Sequence, residues 1–363
     1  MRAHDNDHTG APSGRAYVLL LALAILLLTV APVWLNAYWL RVLSTVFMVA
    51  VVTQGINLMA GYTGYAALGN VVYFGVGGYT CAILMVKAGW PFWVSLPAGT
   101  AVCALLALLV GPPLLRLKGH YFAIATLGLN EAMKELVTNA TQFTGGAMGL
   151  SLPLPPGGPA ANAARFYYLL LAAMLLATWV TWEFSRRRLG LGCQAIRDNE
   201  AKAEASGLYT TRYKTAAWML SASLTGAVGG IQAWWITYID PPAMFDMGLA
   251  VKAFAIMLLG GAGTVLGPVA GAFFVELMAN LTWSRLLNWH LGAMGLIIIA
   301  AILLFPEGFQ AALRPRGWIG HHLGVWRAHL RRAQAARPWL GGWFADRLSA
   351  ARAAAPIDKA GST

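Results

Sequence analysis

The chain has 363 residues, of which 58% are hydrophobic and 11% are charged. A soluble protein has about 25% charged residues, and the apolar residues here come in runs close to the roughly 20 needed to cross a bilayer. This composition excludes an ordinary soluble protein. Because the runs do not alternate as the strands of a membrane barrel do, it predicts an all-α polytopic membrane protein.

The net charge of +12 would suit a nucleic-acid partner, but the basic residues cluster in loops and in the C-terminal tail. That distribution is the one expected of cytoplasmic loops in membrane proteins. We therefore expect contact with membrane lipids and not with nucleic acid. The three cysteines, Cys81, Cys103 and Cys193, have no spacing that indicates disulfides or a metal site.

The N-terminal region is predicted to be a polar cytoplasmic arm (1–15) followed by a first span (17–35). Basic residues before an apolar run also resemble a signal peptide. However, the run is long and a second one follows almost at once, so we expect the first to be retained. The membrane domain is predicted to cover 16–305.

About ten transmembrane helices are predicted in all, with both termini in the cytoplasm. The nine spans after the first are expected at 40–60, 65–87, 92–115, 120–138, 165–184, 214–238, 248–262, 265–283 and 289–305. Arg116 and Lys118 fall in a turn that this count places in the cytoplasm, as the distribution of basic residues requires.

The number of predicted spans depends on two glycine-dense breaks, at 60–64 and 260–263. If they are broken or re-entrant helices, the number of spans falls to eight or nine, and such backbone must be buried in protein or line a wet cavity. The sequence LMAG before the first break weakly echoes LLGG at the second. Many transporters contain internal repeats of this kind.

The basic loop at 185–214 is predicted to contain a short helix that docks a soluble partner. It crowds Arg197, Asp198, Glu200 and Glu204 into two turns, and Gly207 is expected to end the helix. Such a concentration of charge between two apolar spans indicates a surface that binds a cytoplasmic protein.

A solute path is also expected near the first glycine break. Gly61 and Gly64 either line the path or only allow close helix packing, and Asn57 and Asn70 flank the same stretch.

Two acidic residues are further candidates for the path. Glu131 precedes Lys134 by three residues, so a helical ion pair is the simpler explanation. Glu276 lies in the middle of an apolar run, where a carboxylate is costly and should face the bundle interior. Transport and helix-to-helix contact remain equally open for it.

Enzyme signatures are missing from the sequence. It contains no Gly-Lys dipeptide and hence no Walker A loop, and neither HExxH nor GxSxG occurs. We expect no catalytic residue, metal or cofactor in this chain, so any ATP and Mg²⁺ must be bound by separate subunits.

The tail (306–363) alternates arginines with tryptophans and leucines. A basic, Trp-rich amphipathic helix lies on an anionic inner leaflet, which is the preferred interpretation. A solvated extension and a nucleic-acid-binding segment are the alternatives.

Four stretches carry a resemblance to the LivM-type permeases of branched-chain amino acid ABC importers, over roughly 40–310. They are GYTGYAALGNVVYFGVGGYT, LKGHYFAIATLGLNEAMKELVTNATQFTGGAMGL, GLGCQAIRDNEAKAEASGLYTTRYK and MLLGGAGTVLGPVAGAFFVEL. In that family a cytoplasmic segment resembling the EAA loop docks into the ATPase. The matching positions here are Glu200, Ala201, Glu204, Ala205 and Gly207, preceded by Arg197 and Asp198.

The resemblance implies a heteromeric importer in the bacterial inner membrane. Its other members would be a LivH-like second permease, two LivG/LivF-like ATPases and a periplasmic solute-binding protein. The chain departs from the family pattern at Ala67, where Ser is usual, and at Asn70, where His is usual. If those positions touch solute, the substrate differs from a branched-chain amino acid.

Other functions remain as alternatives. An ATPase-independent secondary transporter or channel would show ionisable residues deep in several spans, and only Glu276 is clearly placed so. A membrane-embedded enzyme would need a cluster of reactive side chains that the sequence does not show. An ABC permease for urea or short amides fits the same family resemblance.

Overall fold

The computed structural model describes residues 14–285 together with Gly295, and this part of the chain is largely helical. The α-helices are α1 (Gly14–Trp34), α2 (Ala37–Ile56), α3 (Val71–Val86), α4 (Phe92–Leu114), α5 (His120–Asn139), α6 (Thr141–Thr144), α7 (Pro159–Arg186), α8 (Arg188–Ala205), α9 (Thr210–Ile236), α10 (Pro241–Met244), α11 (Met247–Gly260) and α12 (Gly267–Arg285). Two short antiparallel strands, β1 (Leu150–Ser151) and β2 (Tyr238–Ile239), pair Leu150 with Ile239. The predicted all-α class is confirmed.

Five described segments are long and apolar enough to cross a membrane. They are Ala37–Gly61, Leu68–Val86, Phe92–Leu114, Pro159–Arg186 and Pro241–Gly260. They correspond to five of the predicted spans, so the membrane-spanning character is confirmed, whereas the count of about ten is not.

The other predicted spans differ from these five. Four of them form helices α1, α5, α9 and α12, which are not among the five. One physical reason is polarity, since α5 contains Glu131, Lys134 and Glu135. The apolar part of α9 is diluted by Ser, Thr, Gly and Gln residues. The predicted span at 289–305 and the tail at 306–363 lie outside the described residues, as does the predicted arm except Gly14 and Arg15.

Helix α2 is the central element of the bundle. The side chain of Asn36 caps its first turn by accepting a hydrogen bond from the Trp39 N–H at 3.3 Å. The span that α2 begins is 89% buried, because α7, α9, α11 and α12 all pack around it.

By contrast, α4 and α7 keep many apolar side chains exposed, among them Leu105, Leu109 and Leu176. These exposed faces suit lipid or another membrane subunit.

Helices α3 and α9 pack backbone against backbone. A Cβ at Gly77 would overlap the carbonyl of Gly226, and a Cβ at Gly229 would overlap the carbonyl of Phe74. Small residues at a membrane helix interface permit this close approach. Gly77 of α3 and Gly229 of α9 therefore permit the close packing of these two helices.

The chain leaves α-helical geometry at both predicted glycine breaks. After α2 it forms a π-helical turn (Asn57–Gly61) and then a 3₁₀ turn (Leu68–Asn70) before α3. Between α11 and α12, Gly261 and Gly263 both have positive φ, at 113° and 78°. The breaks are therefore interruptions between membrane-length helices, and their contacts with each other bear on the candidate site.

Candidate coupling helix and its contacts

Helix α8 occupies the predicted docking loop and packs against α7 and α9. It is divided at Asn199, whose backbone is extended (φ −164°, ψ 105°). The side-chain oxygen of Asn199 accepts a hydrogen bond from the Lys202 N–H at 3.0 Å, as an N-cap residue does. Asn199 thus ends one helical segment and begins the next, whereas the sequence predicted one undivided helix.

Gly207 ends the helix as predicted. Its φ of +85° lies in the left-handed region, and its N–H donates to the Glu204 carbonyl at 2.9 Å while the Leu208 N–H donates to the Ala203 carbonyl at 3.1 Å. This pair of bonds is the Schellman arrangement, in which glycine is favoured. A Cβ at Gly207 would meet no atom within 4 Å. Glycine is therefore favoured at this position because of its positive φ, and not because space is lacking.

One face of α8 is open to solvent. Asp198, Ala201, Glu204 and Ala205 are exposed, while Ala203 is buried. The carboxylate of Glu204 accepts a hydrogen bond from the Thr210 hydroxyl at 2.8 Å, which fixes the turn between α8 and α9. Six of the seven predicted docking residues, all except Glu200, are therefore exposed and can be reached by a partner.

Glu200 faces the opposite way, into the bundle. Its carboxylate lies 2.6 Å from Lys214 Nζ and accepts a hydrogen bond from the Tyr65 hydroxyl at 2.6 Å. Lys214 is 2% exposed and also donates to the Leu115 carbonyl at 3.3 Å. The cluster ties α8 to α9, to the end of α4 and to the first glycine break.

The electrostatics of this cluster favour the ionised carboxylate. Burial alone raises the pKa of Glu200, but the hydrogen bonds from Lys214 and Tyr65 and the charge of Lys118 outweigh it, and the net pKa is lowered. The pKa of Tyr65 is raised, first by burial and then by its bond to Glu200. An opposite charge within hydrogen-bond distance produces such a shift in a carboxyl.

Arg197 connects α8 to both glycine breaks. Its Nη1 donates a hydrogen bond to the Gly61 carbonyl. The same nitrogen lies 2.6 Å from where a Cβ of Gly263 would be, and a Cβ at Gly64 would lie 3.3 Å from Arg197 Cγ. The guanidinium thus occupies the space beside Gly263, and the aliphatic stem of Arg197 lies against Gly64, so one side chain contacts both breaks.

Asn57 joins the two breaks to each other. Its side chain donates to the Thr264 carbonyl and accepts from the Gly263 N–H, each at 2.8 Å. One helical turn earlier, Gln54 donates to the Val265 carbonyl at 2.6 Å. A Cβ at Gly61 would overlap Asn57 and lie 2.5 Å from Gly263 N. The two segments that echo each other in sequence are therefore in direct contact, and we name this contact the glycine junction.

Asn70 is buried in a hydrogen-bond network. It donates to the Thr225 hydroxyl and accepts from the Ser221 hydroxyl, each at 3.0 Å, and Ser221 in turn is bonded to the Gly55 carbonyl. This side chain links α2 and α9 at the start of α3. Both ends of the Asn70 amide are therefore bonded within the protein.

The two carboxylates proposed for the solute path are both in ion pairs. Glu131 pairs with Lys134 on the exposed surface of α5, as the three-residue spacing predicts. Glu276 is 5% exposed and pairs with Lys252, which links α12 to α11. The expectation that Glu276 faces the interior is therefore confirmed.

Sequence reasoning missed Lys214, Tyr65 and Gln54. Lys214 stands at the start of an apolar helix, where a basic residue also marks a membrane boundary, so its burial had no distinguishing signal. Among residues 14–285, no three His, Cys, Asp or Glu side chains gather in a way that could hold a metal ion.

Comparison with known proteins identifies the family to which the chain is similar. The family described as the permease component of branched-chain amino acid transport systems matches residues 38–305. Relatives include the high-affinity branched-chain amino acid transport permease LivM of Salmonella typhimurium and that of Escherichia coli. Each is 27% identical over 82% of this chain and 76% of its own length.

A second group of relatives is named for a different solute. The autoinducer 2 import permease LsrC of Escherichia coli O157:H7 is 28% identical over 80% of this chain and 87% of its own length. No solved structure matches the chain. The family match covers almost all of helices α2 to α12, including α8 and the glycine junction, so this chain belongs to the permease family of branched-chain amino acid transport systems and is a LivM-type transport subunit.

Proposed function

We propose that the chain is the permease subunit of an ATP-binding-cassette importer for branched-chain or related amino acids, and that α8 is the helix through which the ATPases act. The observation that carries this proposal is the division of α8 into two faces. Asp198, Ala201, Glu204 and Ala205 are exposed, whereas Glu200 is bonded to the bundle. Arg197 is exposed and also donates a hydrogen bond to the Gly61 carbonyl.

This arrangement suits transmission of force. A partner that moves the exposed face also moves Arg197, and Arg197 is hydrogen-bonded to the glycine junction, where two membrane helices are interrupted. Rigid-body movement of a docked element against breaks in helices is a known route to switching between two states. We expect the ATPases to move α8 and the junction to pass that movement to α2 and α12.

The partners follow from the family. We propose a LivH-like second permease, two cytoplasmic LivG/LivF-like ATPases that bind ATP and Mg²⁺, and a periplasmic solute-binding protein. The chain would lie in the inner membrane with α8 and both termini in the cytoplasm. The exposed apolar faces of α4 and α7 would contact lipid and the second permease.

The test is reconstitution of the complete importer in liposomes. Uptake of radiolabelled L-leucine should require the binding protein on one side and ATP on the other. An Ala201→Cys variant should cross-link to an ATPase subunit, and Cys81, Cys103 and Cys193 are buried in the described structure and should not interfere. Accumulation without nucleotide would instead indicate a secondary transporter, and leakage without accumulation would indicate a channel.

Import of autoinducer 2 is the second candidate, favoured by the LsrC relatives. The same liposomes distinguish the two, because an importer for autoinducer 2 should accumulate that compound and leave L-leucine outside. The unusual Asn70 does not decide between them, since its amide is occupied by Ser221 and Thr225.

A further inference from the structure

A cavity of about 490 Å³ lies where helices α2 and α7 begin and helix α9 ends. Its lining residues are Ala37, Tyr38, Arg41, Ser44, Leu154, Pro155, Pro159, Asn162, Ala163, Phe166, Trp235 and Thr237. Helix α9 has 27 residues and packs against α8 at its start, and a helix rises about 1.5 Å per residue. The cavity is therefore roughly 40 Å from the start of α9, on the opposite side of the bundle from the coupling helix.

Arg41 gives this cavity a positive charge. It is exposed and is the one charged side chain in the lining, which contains no Asp or Glu. Within residues 14–285 it has no carboxylate partner. It lies in the second turn of α2, at the start of a membrane-length apolar segment. Because a cation is costly there unless it meets water or an anion, this guanidinium is suited to an anionic ligand.

The other polar side chains of the lining are mostly bonded within the protein. Asn162 donates to two carbonyls of the loop before α7, at 3.2 and 3.3 Å. The hydroxyls of Ser44 and Thr237 donate to backbone carbonyls close to them in the chain, and the Tyr38 hydroxyl donates to Asn280 at 2.8 Å. The guanidinium is therefore the charged donor that remains for a ligand.

A second arginine lies beside the cavity. Arg165 is on α7, one turn after Asn162, and its Nη2 is 3.9 Å from where a Cβ of Gly157 would be. Within the described residues it also has no carboxylate partner. Two positive helix ends, of α2 and α7, and one negative end, of α9, meet at the same place. All these contributions together make the cavity electropositive.

The surroundings of the cavity are those of a membrane surface. Trp34, Tyr38 and Trp39 are 85%, 56% and 40% exposed around the turn between α1 and α2, and exposed Trp and Tyr side chains mark the boundary between lipid chains and headgroups. Leu26 and Val30 are exposed on the part of α1 that leads to this turn. An apolar surface next to a cationic cavity fits a lipid better than a soluble anion.

We propose that this cavity binds the phosphodiester of an anionic phospholipid through Arg41, with Arg165 adding to the attraction and the acyl chains lying against the exposed apolar residues of α1. Arginine binds phosphate oxygens through two parallel hydrogen bonds, and basic pockets between membrane helices bind anionic headgroups. The volume falls within the range of about 300–1,000 Å³ that is usual for small-molecule sites. The lipid belongs to the leaflet opposite α8, and it holds together the ends of α2, α7 and α9.

Native mass spectrometry of the full chain in detergent measures the binding of the tightest-bound lipid. Palmitoyl-oleoyl-phosphatidylglycerol should bind with a lower Kd than the phosphatidylcholine with the same chains, and the corresponding diacylglycerol should not compete because it lacks the phosphate. Arg41→Gln should raise the Kd of the phosphatidylglycerol about tenfold, as expected for a lost hydrogen bond between charged groups. Arg41→Lys keeps the charge without the paired hydrogen bonds and should give an intermediate Kd. Arg165→Gln should have a smaller effect than Arg41→Gln.

Controls separate this cavity from the general charge of the surface. Arg116→Gln removes an exposed arginine outside the cavity and should leave the Kd unchanged. Ala37 is exposed and lines the cavity, so Ala37→Trp should fill it and weaken binding without a change of charge. Ala172→Trp, at an exposed position of α7 outside the lining, should not weaken binding.

Thermal unfolding provides a second measurement and a check on folding. The variants should have the melting temperature of the unaltered chain in lipid-free detergent. Added phosphatidylglycerol should raise the melting temperature of the unaltered chain, because a ligand that binds the folded state stabilises it. The rise should be much smaller for Arg41→Gln and unchanged for Arg116→Gln.

Three results would overturn the proposal. Equal binding of the diacylglycerol or the phosphatidylcholine would show that the cavity does not select an anionic headgroup. Binding of soluble sn-glycerol 1-phosphate as tightly as the lipid would assign the cavity to a soluble phosphate ester. Unchanged phosphatidylglycerol binding in Arg41→Gln would show that the arginine is not its ligand, and loss of binding to the solute-binding protein in the same variant would assign it to a protein interface. These measurements need neither ATPase nor transported solute, so their outcome is independent of the proposed function.

Discussion

Arg197 and Gly61 are joined by a hydrogen bond from the guanidinium to a backbone carbonyl, across 136 positions of the chain. The π-helical turn that ends in Gly61 leaves that carbonyl beside Gly263, and Asn57 bonds both sides of the glycine junction. A residue of the coupling helix therefore contacts the breaks in two membrane segments without an intermediary. Several consequences can be measured.

Charge reversal at Glu204 should abolish transport and leave the membrane fold intact. Glu204 is exposed on the face proposed to bind the ATPase, and its one side-chain bond is to Thr210 at the surface. ATP-dependent L-leucine uptake measures the effect, and the amount of folded chain in the membrane is the check. Glu135→Lys, an equivalent reversal on the exposed surface of α5, should transport normally. Normal uptake with Glu204→Lys would contradict the proposal that the ATPase binds this face of α8.

Gly207→Pro should also abolish uptake. Proline fixes φ near −65° and has no N–H, so it cannot adopt the +85° of Gly207 or donate to the Glu204 carbonyl. Gly89 is the matched control, because it has φ of +66° in another turn and no atom within 4 Å of its Cβ position. If Gly89→Pro lost uptake to the same extent, the effect of Gly207→Pro would not be specific to α8.

Removal of Lys214 should cost more stability than removal of both members of its ion pair. Lys214→Met leaves the Glu200 carboxylate, whose side chain is 16% exposed, without its main partner, and breaking a buried pair in this way costs about 3–5 kcal/mol. The double variant with Glu200→Gln should recover part of that loss. Unfolding of the detergent-solubilised chain in a double-mutant cycle measures the coupling. Additive losses would show that the two side chains do not interact.

The ion pair of Glu200 and Lys214 predicts that the stability of the fold decreases at acid pH. The pKa of Glu200 in the folded chain is lowered from the usual value of a glutamate, 4.5. Its stabilising contribution is therefore present above that value and disappears as pH falls through the lower, folded pKa. Thermal unfolding recorded at pH values from neutral down to this range should show the loss. Glu200→Gln should flatten that part of the profile, and an unchanged profile would contradict the assignment.

Gly61→Ala should disrupt the glycine junction. The added methyl group would overlap Asn57 and the backbone at Gly263, neither of which can withdraw without breaking the hydrogen bonds between the two breaks. Gly128→Ala is the control, since a Cβ there meets nothing within 4 Å on helix α5, and alanine favours a helix by about 1 kcal/mol over glycine. Thermal stability should fall for the first variant and not for the second.

Glu276→Gln tests whether this carboxylate serves packing or transport. Its ion pair with Lys252 joins α11 to α12, so the variant should lower thermal stability, and adding Lys252→Met should restore much of it because no unpaired charge then remains. Unchanged stability with reduced uptake would assign Glu276 a role in transport.

The sequence was informative where a local rule determines structure. The charged loop between two apolar runs located α8, and the left-handed conformation that glycine tolerates explains why Gly207 ends it. Local rules could not reveal the partner of Glu200, because Lys214 and Tyr65 reach it only after distant helices have packed. Nor could they show that Asn70 bonds Ser221. The division of α8 at Asn199 was missed because an Asn inside a charged helix has no distinctive pattern.

The contact of α3 with α9 also limits where this protein can move. With Gly77 against Gly226 and Gly229 against Phe74, no side chain separates the two backbones at these two points, so no rotamer change there can allow sliding. Protein interiors packed this closely transmit displacement and do not absorb it. The two helices should therefore move as one rigid unit during transport. Two spectroscopic probes, one on each helix, would then keep a constant distance, and the displacement of the other helices could be measured against it.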